Sequence, residues 1–153
     1  MNAARLRRDD GNAIVEFVFL AVVIMVPLVY LIAAVATVQR NSLAVSQAAR
    51  DAGRAFATSN TVVDAHRRVE AAVRLALADQ GLPADAELRF VAAGKHCRSP
   101  AVRPRLVPGA EFTVCVTRRV QLPGVPSVLT GRGITVVGEF VVHLDDYRAP
   151  PRR

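Results

Sequence analysis

Glu16 is a carboxylate among apolar neighbours, and a charge in such surroundings needs a partner of opposite charge. It lies in the segment AIVEFVF (residues 13–19), directly before a run of 22 residues without a charge, 17–38. As a helix this run spans about 33 Å at ~1.5 Å per residue, which is the thickness of a bilayer core. An ionised carboxylate costs up to ~3.5 kcal/mol near the bilayer centre and less near its edge. A plain membrane anchor has no use for such a group, so Glu16 is a candidate functional residue.

Cys97 and Cys115 are the two cysteines of the chain. In the cytosol they would be free thiols or half of a metal site, whereas outside the membrane a disulfide is favoured. Closing the loop 98–114 would stabilise the fold by about 3 kcal/mol. A zinc site that also uses His96 and His143 is the alternative, but the spacing matches no recognised zinc pattern. We therefore expect a disulfide and no metal site.

No motif of the sequence points to catalysis. It contains no Gly-rich phosphate loop, G-x-S-x-G elbow, HExxH motif or carboxylate cluster. We expect no catalytic residue, no cofactor and no enzymatic activity. The net charge of +7 suggests nucleic acid, but basic and aromatic residues do not alternate as in single-strand binders, so we expect no nucleic-acid partner. Anionic cell-envelope polymers or an acidic partner suit this charge better.

The amino-terminal segment combines a short basic stretch with the apolar run. Arg5, Arg7 and Arg8 precede the run, and Arg40 stands alone after it. The positive-inside rule therefore predicts a single-pass protein of the cytoplasmic membrane, with a cytoplasmic amino terminus and an extracytoplasmic carboxyl-terminal domain. A cleaved signal peptide, with its site at residues 34–36, is disfavoured because the run exceeds a 7–15-residue h-region. An uncleaved signal anchor fits the charged residues on either side of the apolar run but leaves Glu16 unexplained.

The rest of the chain predicts an α+β fold. An alanine-rich stretch continues the membrane helix outward, and a second, amphipathic helix runs from a Thr61 cap to about Gln80. Three segments with alternating apolar residues then predict a small three-stranded antiparallel sheet with one disulfide. Gly138 interrupts the last strand and predicts a bulge.

The expected organisation has five parts. These are a basic leader 1–11, a transmembrane helix 12–38, a juxtamembrane helical extension 39–58, an extracytoplasmic α+β domain 59–144 and a disordered tail 145–153.

The sequence GNAIVEF (residues 11–17) resembles the processing site of the type IV pilin superfamily. In that family a prepilin peptidase removes a short basic leader that ends in Gly, and the fifth mature residue is Glu. The resemblance places the cut between Gly11 and Asn12 and makes Glu16 the fifth mature residue. A carboxylate four residues from the new amine lies one helical turn away. In an assembly of packed helices it could neutralise the amine of a neighbouring subunit.

Together with the apolar helix to Val38 and the segment AARDAGRA (residues 48–55), this site resembles the TadE-like pseudopilins of tight-adherence (Flp, type IVb-like) pilus systems. The resemblance covers roughly residues 5–56. Beyond these residues, the pair Cys97 and Cys115, which precedes strands, is similar to the pair in bacterial members of the family. This sequence departs from the family pattern at Asp9 and Asp10, which precede the expected cut. TadF-like and TadG-like members remain alternatives.

The TadE-like resemblance implies a minor, non-enzymatic part in a pilus or secretion apparatus. The implied partners are a prepilin peptidase, other pilus or pseudopilin subunits and inner-membrane platform proteins, with Glu16 and Phe17 at subunit contacts. The alternative function is that of an uncleaved, signal-anchored envelope protein whose basic domain binds a partner or an anionic polymer.

Overall fold

The computed structural model describes residues 9–122 and 133–147. In these residues it has two helices and one sheet: α1 (Asp9–Ala57), α2 (Val62–Asp79), β1 (Glu87–Ala92), β2 (Glu111–Val120) and β3 (Ile134–His143). The contacts divide the chain into two compact units, Met1–Ala36 and Thr37–Arg153. The predicted α+β class is confirmed, with its long apolar helix, second helix, antiparallel sheet and disulfide. Most of the predicted leader and residues 148–153 of the predicted tail lie outside the described residues.

The first unit contains the apolar part of α1. Every side chain from residue 13 to residue 33 is exposed. Pro27 lies inside this helix without ending it, as transmembrane helices tolerate. By length and composition the segment is compatible with a membrane anchor.

The second unit has one hydrophobic core between the helices and the inner face of the sheet. Four alanines of α1 are fully buried in it: Ala44, Ala48, Ala49 and Ala52. Three phenylalanines fill its centre, with Phe56 of α1 at 4.9 Å from Phe112 and 5.8 Å from Phe90 between ring centroids, in tilted or edge-on arrangements. Such pairs contribute about 0.5–1.5 kcal/mol each beyond their buried area. The aromatic side chains thus join α1 to β1 and β2.

Two glycines let α1 approach β3 closely. A Cβ at Gly53 would lie 2.5 Å from Cδ1 of Phe140, and one at Gly138 would lie 2.2 Å from the carbonyl oxygen of Val45. The pairing of β2 with β3 runs without interruption past Val116↔Gly138. The predicted bulge at Gly138 is therefore wrong: the glycine is needed for helix contact and not for a break in the strand.

Helix α2 is amphipathic and capped at both ends. The Thr61 hydroxyl accepts a hydrogen bond from the Asp64 backbone N–H, as predicted for an N-cap. Its buried stripe consists of Ala65, Val69, Val73, Ala76 and Leu77. At the other end Gly81 has a φ of 61°, and the Leu82 N–H donates to the Leu77 carbonyl at 2.9 Å. This is a Schellman motif, which requires the left-handed conformation that Gly adopts without strain.

The sheet has the order β1-β2-β3 with antiparallel neighbours. Apolar residues of each strand alternate between the two faces, and the inner face packs on the helices. The loop between β1 and β2 returns across the outer face, where Cys97 is bonded to Cys115.

Candidate assembly site

Glu16 and Phe17 lie on the exposed part of α1. The Phe17 side chain is 73% exposed, and Glu16 is the one ionisable acid between residues 13 and 36. The helix backbone begins at Asp9, so Gly11 and Asn12 lie in its first turns. Helical spacing therefore puts Glu16 one turn after Asn12, on the same side of the helix. Cleavage after Gly11 stays a prediction.

The apolar surface around Glu16 is unusually large for a folded chain. None of the side chains in its most apolar 18-residue window is buried, and aromatic, branched and thioether side chains are all exposed there. Burying one such side chain is favourable by about 1.5–3 kcal/mol. Exposed apolar surface on this scale is typical of segments covered by lipid or by other apolar helices.

The alanine-rich part of α1 does not offer the same kind of surface. Its small side chains are buried against the sheet of the same chain. Four larger side chains of this part are exposed: Leu43, which is 70% exposed, and Gln47, Arg50 and Arg54. Their spacing of four, three and four places them on one helix face. Residues 48–55 therefore bury Ala48, Ala49 and Ala52 and expose Arg50 and Arg54.

Arg118 is a buried cation that the sequence analysis missed. Its side chain is only 7% exposed. The Nε atom donates to Oδ1 of Asp85 at 2.7 Å, and Nη1 donates to Oδ1 of Asn41 at 2.6 Å. Asn41 in turn donates to the Thr37 carbonyl at 2.8 Å. These charge-assisted bonds connect α1, the segment before β1, and β2.

A signal for Arg118 was present in the sequence. Phe112, Val114, Val116 and Val120 alternate onto the inner face of β2, and residue 118 belongs to the same face by its position. A buried arginine needs hydrogen-bond partners. The pattern therefore predicts a buried network, although it does not identify Asn41 and Asp85.

Arg40 holds the end of α2. Its guanidinium donates to the carbonyl oxygen of Gln80, the C-cap residue. The last carbonyls of a helix lack partners within the helix, and a cation there also interacts well with the helix dipole. Arg40 was noted in the sequence only for membrane topology, so this contact is a second role that the charge count did not reveal.

The disulfide uses both cysteines that the zinc alternative requires. Cys97 and Cys115 are bonded to each other, with 5.6 Å between their Cα atoms. His143 Nδ1 lies 2.9 Å from Oε1 of Glu111, across the β2–β3 pair. In residues 9–122 and 133–147, no group of three His, Cys, Asp or Glu side chains is arranged to hold a metal ion. The predicted disulfide is confirmed.

Comparison with protein-family models, curated proteins and solved structures found no significant match.

Proposed function

We propose that this chain is a pseudopilin-like component of a tight-adherence (Flp) pilus or secretion apparatus. It is anchored by the apolar part of α1 in the cytoplasmic membrane, with its amino terminus in the cytoplasm. A prepilin peptidase removes residues 1–11, and Glu16 then serves helix packing between subunits. The role is structural and non-enzymatic, and the partners are other pilus subunits and the inner-membrane platform.

The observation that carries this proposal is the position of Glu16. It is a lone carboxylate near the start of an exposed apolar helix, one helical turn after the residue that would carry the new amine. In lipid this carboxylate is unfavourable unless it is paired. An amine from a neighbouring subunit supplies a partner of opposite charge in an environment where an unpaired charge costs several kcal/mol.

The first test is the amino terminus of the mature protein. The full chain is co-expressed with a prepilin peptidase of a tight-adherence system, and the amino terminus is determined by mass spectrometry. The proposal expects a protein that starts at Asn12. A Gly11→Val chain keeps its leader, because a branched side chain obstructs the extended backbone at the cut, whereas Ala13→Val, with the same kind of side chain two residues away, is cut normally.

The second test separates processing from assembly. Glu16→Gln removes one carboxylate but no volume, and Glu70→Gln makes the same change on the exposed face of α2. We expect both variants to insert into the membrane, and only Glu16→Gln to lower pilus assembly, by about tenfold or more if ~1.4 kcal/mol is lost per contact. An intact leader in the presence of the peptidase contradicts the processing step, and normal pili with Glu16→Gln contradict the packing role.

The envelope-binding alternative rests on the basic loop between β1 and β2. Arg98, Arg103 and Arg105 are all exposed there. If this loop binds an anionic polymer, replacing the three arginines with Gln weakens binding of the full chain to that polymer, measured by co-sedimentation at two salt concentrations. Binding that is unchanged by the replacement contradicts this alternative.

A further inference from the structure

The two edges of the sheet differ in how they are covered. At the β1 edge, Val102 donates its N–H to the Phe90 carbonyl at 2.8 Å, and Ala101 forms an antiparallel bridge with Val91. At the β3 edge, the described part of the chain contributes no such neighbour. Within residues 9–122 and 133–147, the β1 edge is thus covered by the loop between β1 and β2, and the β3 edge has no neighbouring strand.

The backbone groups that face the open edge follow from the hydrogen bonds. Leu144 donates to the Ala110 carbonyl at 3.0 Å, and in an antiparallel pair the bonded positions recur at every second residue. The even-numbered residues of β3 therefore bond to β2. The odd-numbered residues Val137, Glu139, Val141 and His143 direct their N–H and C=O groups away from β2.

The open edge lacks the usual protection against pairing. β3 has ten residues, regular register and neither Pro nor Lys. Val137 is 41% exposed and Val141 is 52% exposed on the outer face. Exposed, regular and apolar edges of this length are templates for another strand. Glu139 is the single carboxylate on it, and its charge restricts which strand fits.

We propose that a second copy of this chain pairs with β3 in the antiparallel direction, about a two-fold axis at Val141. In this register Val141 faces its own counterpart and Glu139 faces His143 of the second copy, so residues 139–143 of the two strands pair. Both partners use the same surface, as a two-fold interface requires.

The charged residues of β3 favour this register over the one whose two-fold axis lies at Glu139. Shifting the axis to Glu139 gives the longer overlap of the two strands but puts two carboxylates opposite each other, which is destabilising. With the axis at Val141, Glu139 comes opposite His143 of the second copy, whose Nδ1 also contacts Glu111 of its own chain at 2.9 Å, and no two carboxylates face each other directly.

Exposed apolar side chains also lose water contact in this dimer. The two Val141 side chains meet at the axis, and cross-strand pairs of β-branched residues contribute about 0.2–1 kcal/mol each relative to Ala. This inference does not depend on the proposed pilus function, because it rests on the second unit alone.

The test is disulfide crosslinking of the full chain in detergent micelles. Val141→Cys places the two new thiols opposite each other, at a distance that a disulfide can bridge. The control Thr135→Cys lies on the same edge, but its two copies are roughly 40 Å apart at ~3.4 Å per residue. By mass spectrometry we expect a disulfide-linked peptide dimer from the Val141→Cys chain and none from the Thr135→Cys chain. Absence of the first, or equal formation of both, overturns the proposal.

Proline variants test the same interface without a thiol. The N–H of Val141 faces the open edge, so Val141→Pro removes no bond to β2 and the fold is kept, as circular dichroism can verify. It blocks pairing at the axis and should weaken the dimer by about tenfold or more, which is ~1.4 kcal/mol. Thr135→Pro is the matched control and should leave dimerisation within about twofold. If Val141→Pro does not weaken the dimer, the dimer is not held together by β3. In the crosslinking experiment, a crosslink from Val141→Cys to another protein in place of a second copy also overturns the proposal.

Discussion

At the scale of single residues, the buried side chain of Arg118 depends on partners from two other segments. Asn41→Ala leaves Nη1 without its acceptor in a site that water reaches poorly. Because a hydrogen bond to a charged group is worth about 1.5–3 kcal/mol, we expect a loss of that size in the free energy of unfolding, measured by urea denaturation in detergent. Gln47→Ala, an exposed site on the same helix that binds Asp51, should cost less than ~0.5 kcal/mol. Equal losses would show that the buried cation does not need Asn41.

Gly138 gives a second prediction at this scale. Gly138→Ala forces a Cβ to within 2.2 Å of the Val45 carbonyl oxygen and 2.7 Å of the Ser46 nitrogen, both of which are backbone atoms. We expect the free energy of unfolding to fall by about 3 kcal/mol, because α1 must move off the sheet. Gly94→Ala is the control: its φ is 69° but nothing lies within 4 Å, so only the left-handed strain of about 1–2 kcal/mol applies. A smaller loss at Gly138 than at Gly94 would contradict the close approach.

The burial of Arg118 can be predicted from the sequence, whereas the structural reason for Gly138 cannot. Arg118 lies in a period-two pattern, so its inward direction follows from local geometry. Gly138 also sits in a strand pattern, but its reason lies in α1, more than ninety residues earlier in the chain. A close contact between distant segments leaves no periodic signal, and the bulge predicted for this glycine was therefore wrong.

At the scale of elements, the disulfide fixes the loop that covers β1. Cys97 and Cys115 are 18 residues apart, and a loop of that size constrains the unfolded chain by about 3 kcal/mol. The double variant Cys97→Ala, Cys115→Ala should lose about that much stability in urea denaturation. Reducing agent should lower the stability of the native chain by a similar amount and leave the double variant unchanged. A reductant effect on the double variant would assign the loss to another cause.

The helices and strands were predictable because their signals are local. The cap at Thr61, the stop at Gly81 and the alternation in the three strands all lie within the elements that they define. The cover on the β1 edge was not predictable, because the bridge of Ala101 to Val91 depends on the path of an irregular, proline-rich loop. The same limit applies to the contact of Arg40 with Gln80, which joins two helices.

At the scale of the whole molecule, the buried core and the exposed apolar helix segment lie in different units. All buried residues of the main core cluster lie after residue 37, and the disulfide lies there too. The described part of the first unit has an exposed apolar surface and no buried residue. The folded core and the exposed apolar surface are therefore formed by separate stretches of one chain.

A chain that begins at Thr37 tests this separation. We expect it to stay soluble without detergent and to unfold cooperatively in urea, because the truncation removes no residue of the core and no member of the Arg118 network. Its free energy of unfolding should agree with that of the full chain in micelles to within ~1 kcal/mol, the scale of a single ordinary hydrogen bond. The matched truncation that begins at Gln47 also loses Asn41, Ala44 and Val45, so it leaves Nη1 of Arg118 without its acceptor and opens the core beside β3. That chain should show no cooperative transition. If the Thr37 chain also lacks one, folding of the second unit requires the apolar helix, and the two units cannot be treated as independent.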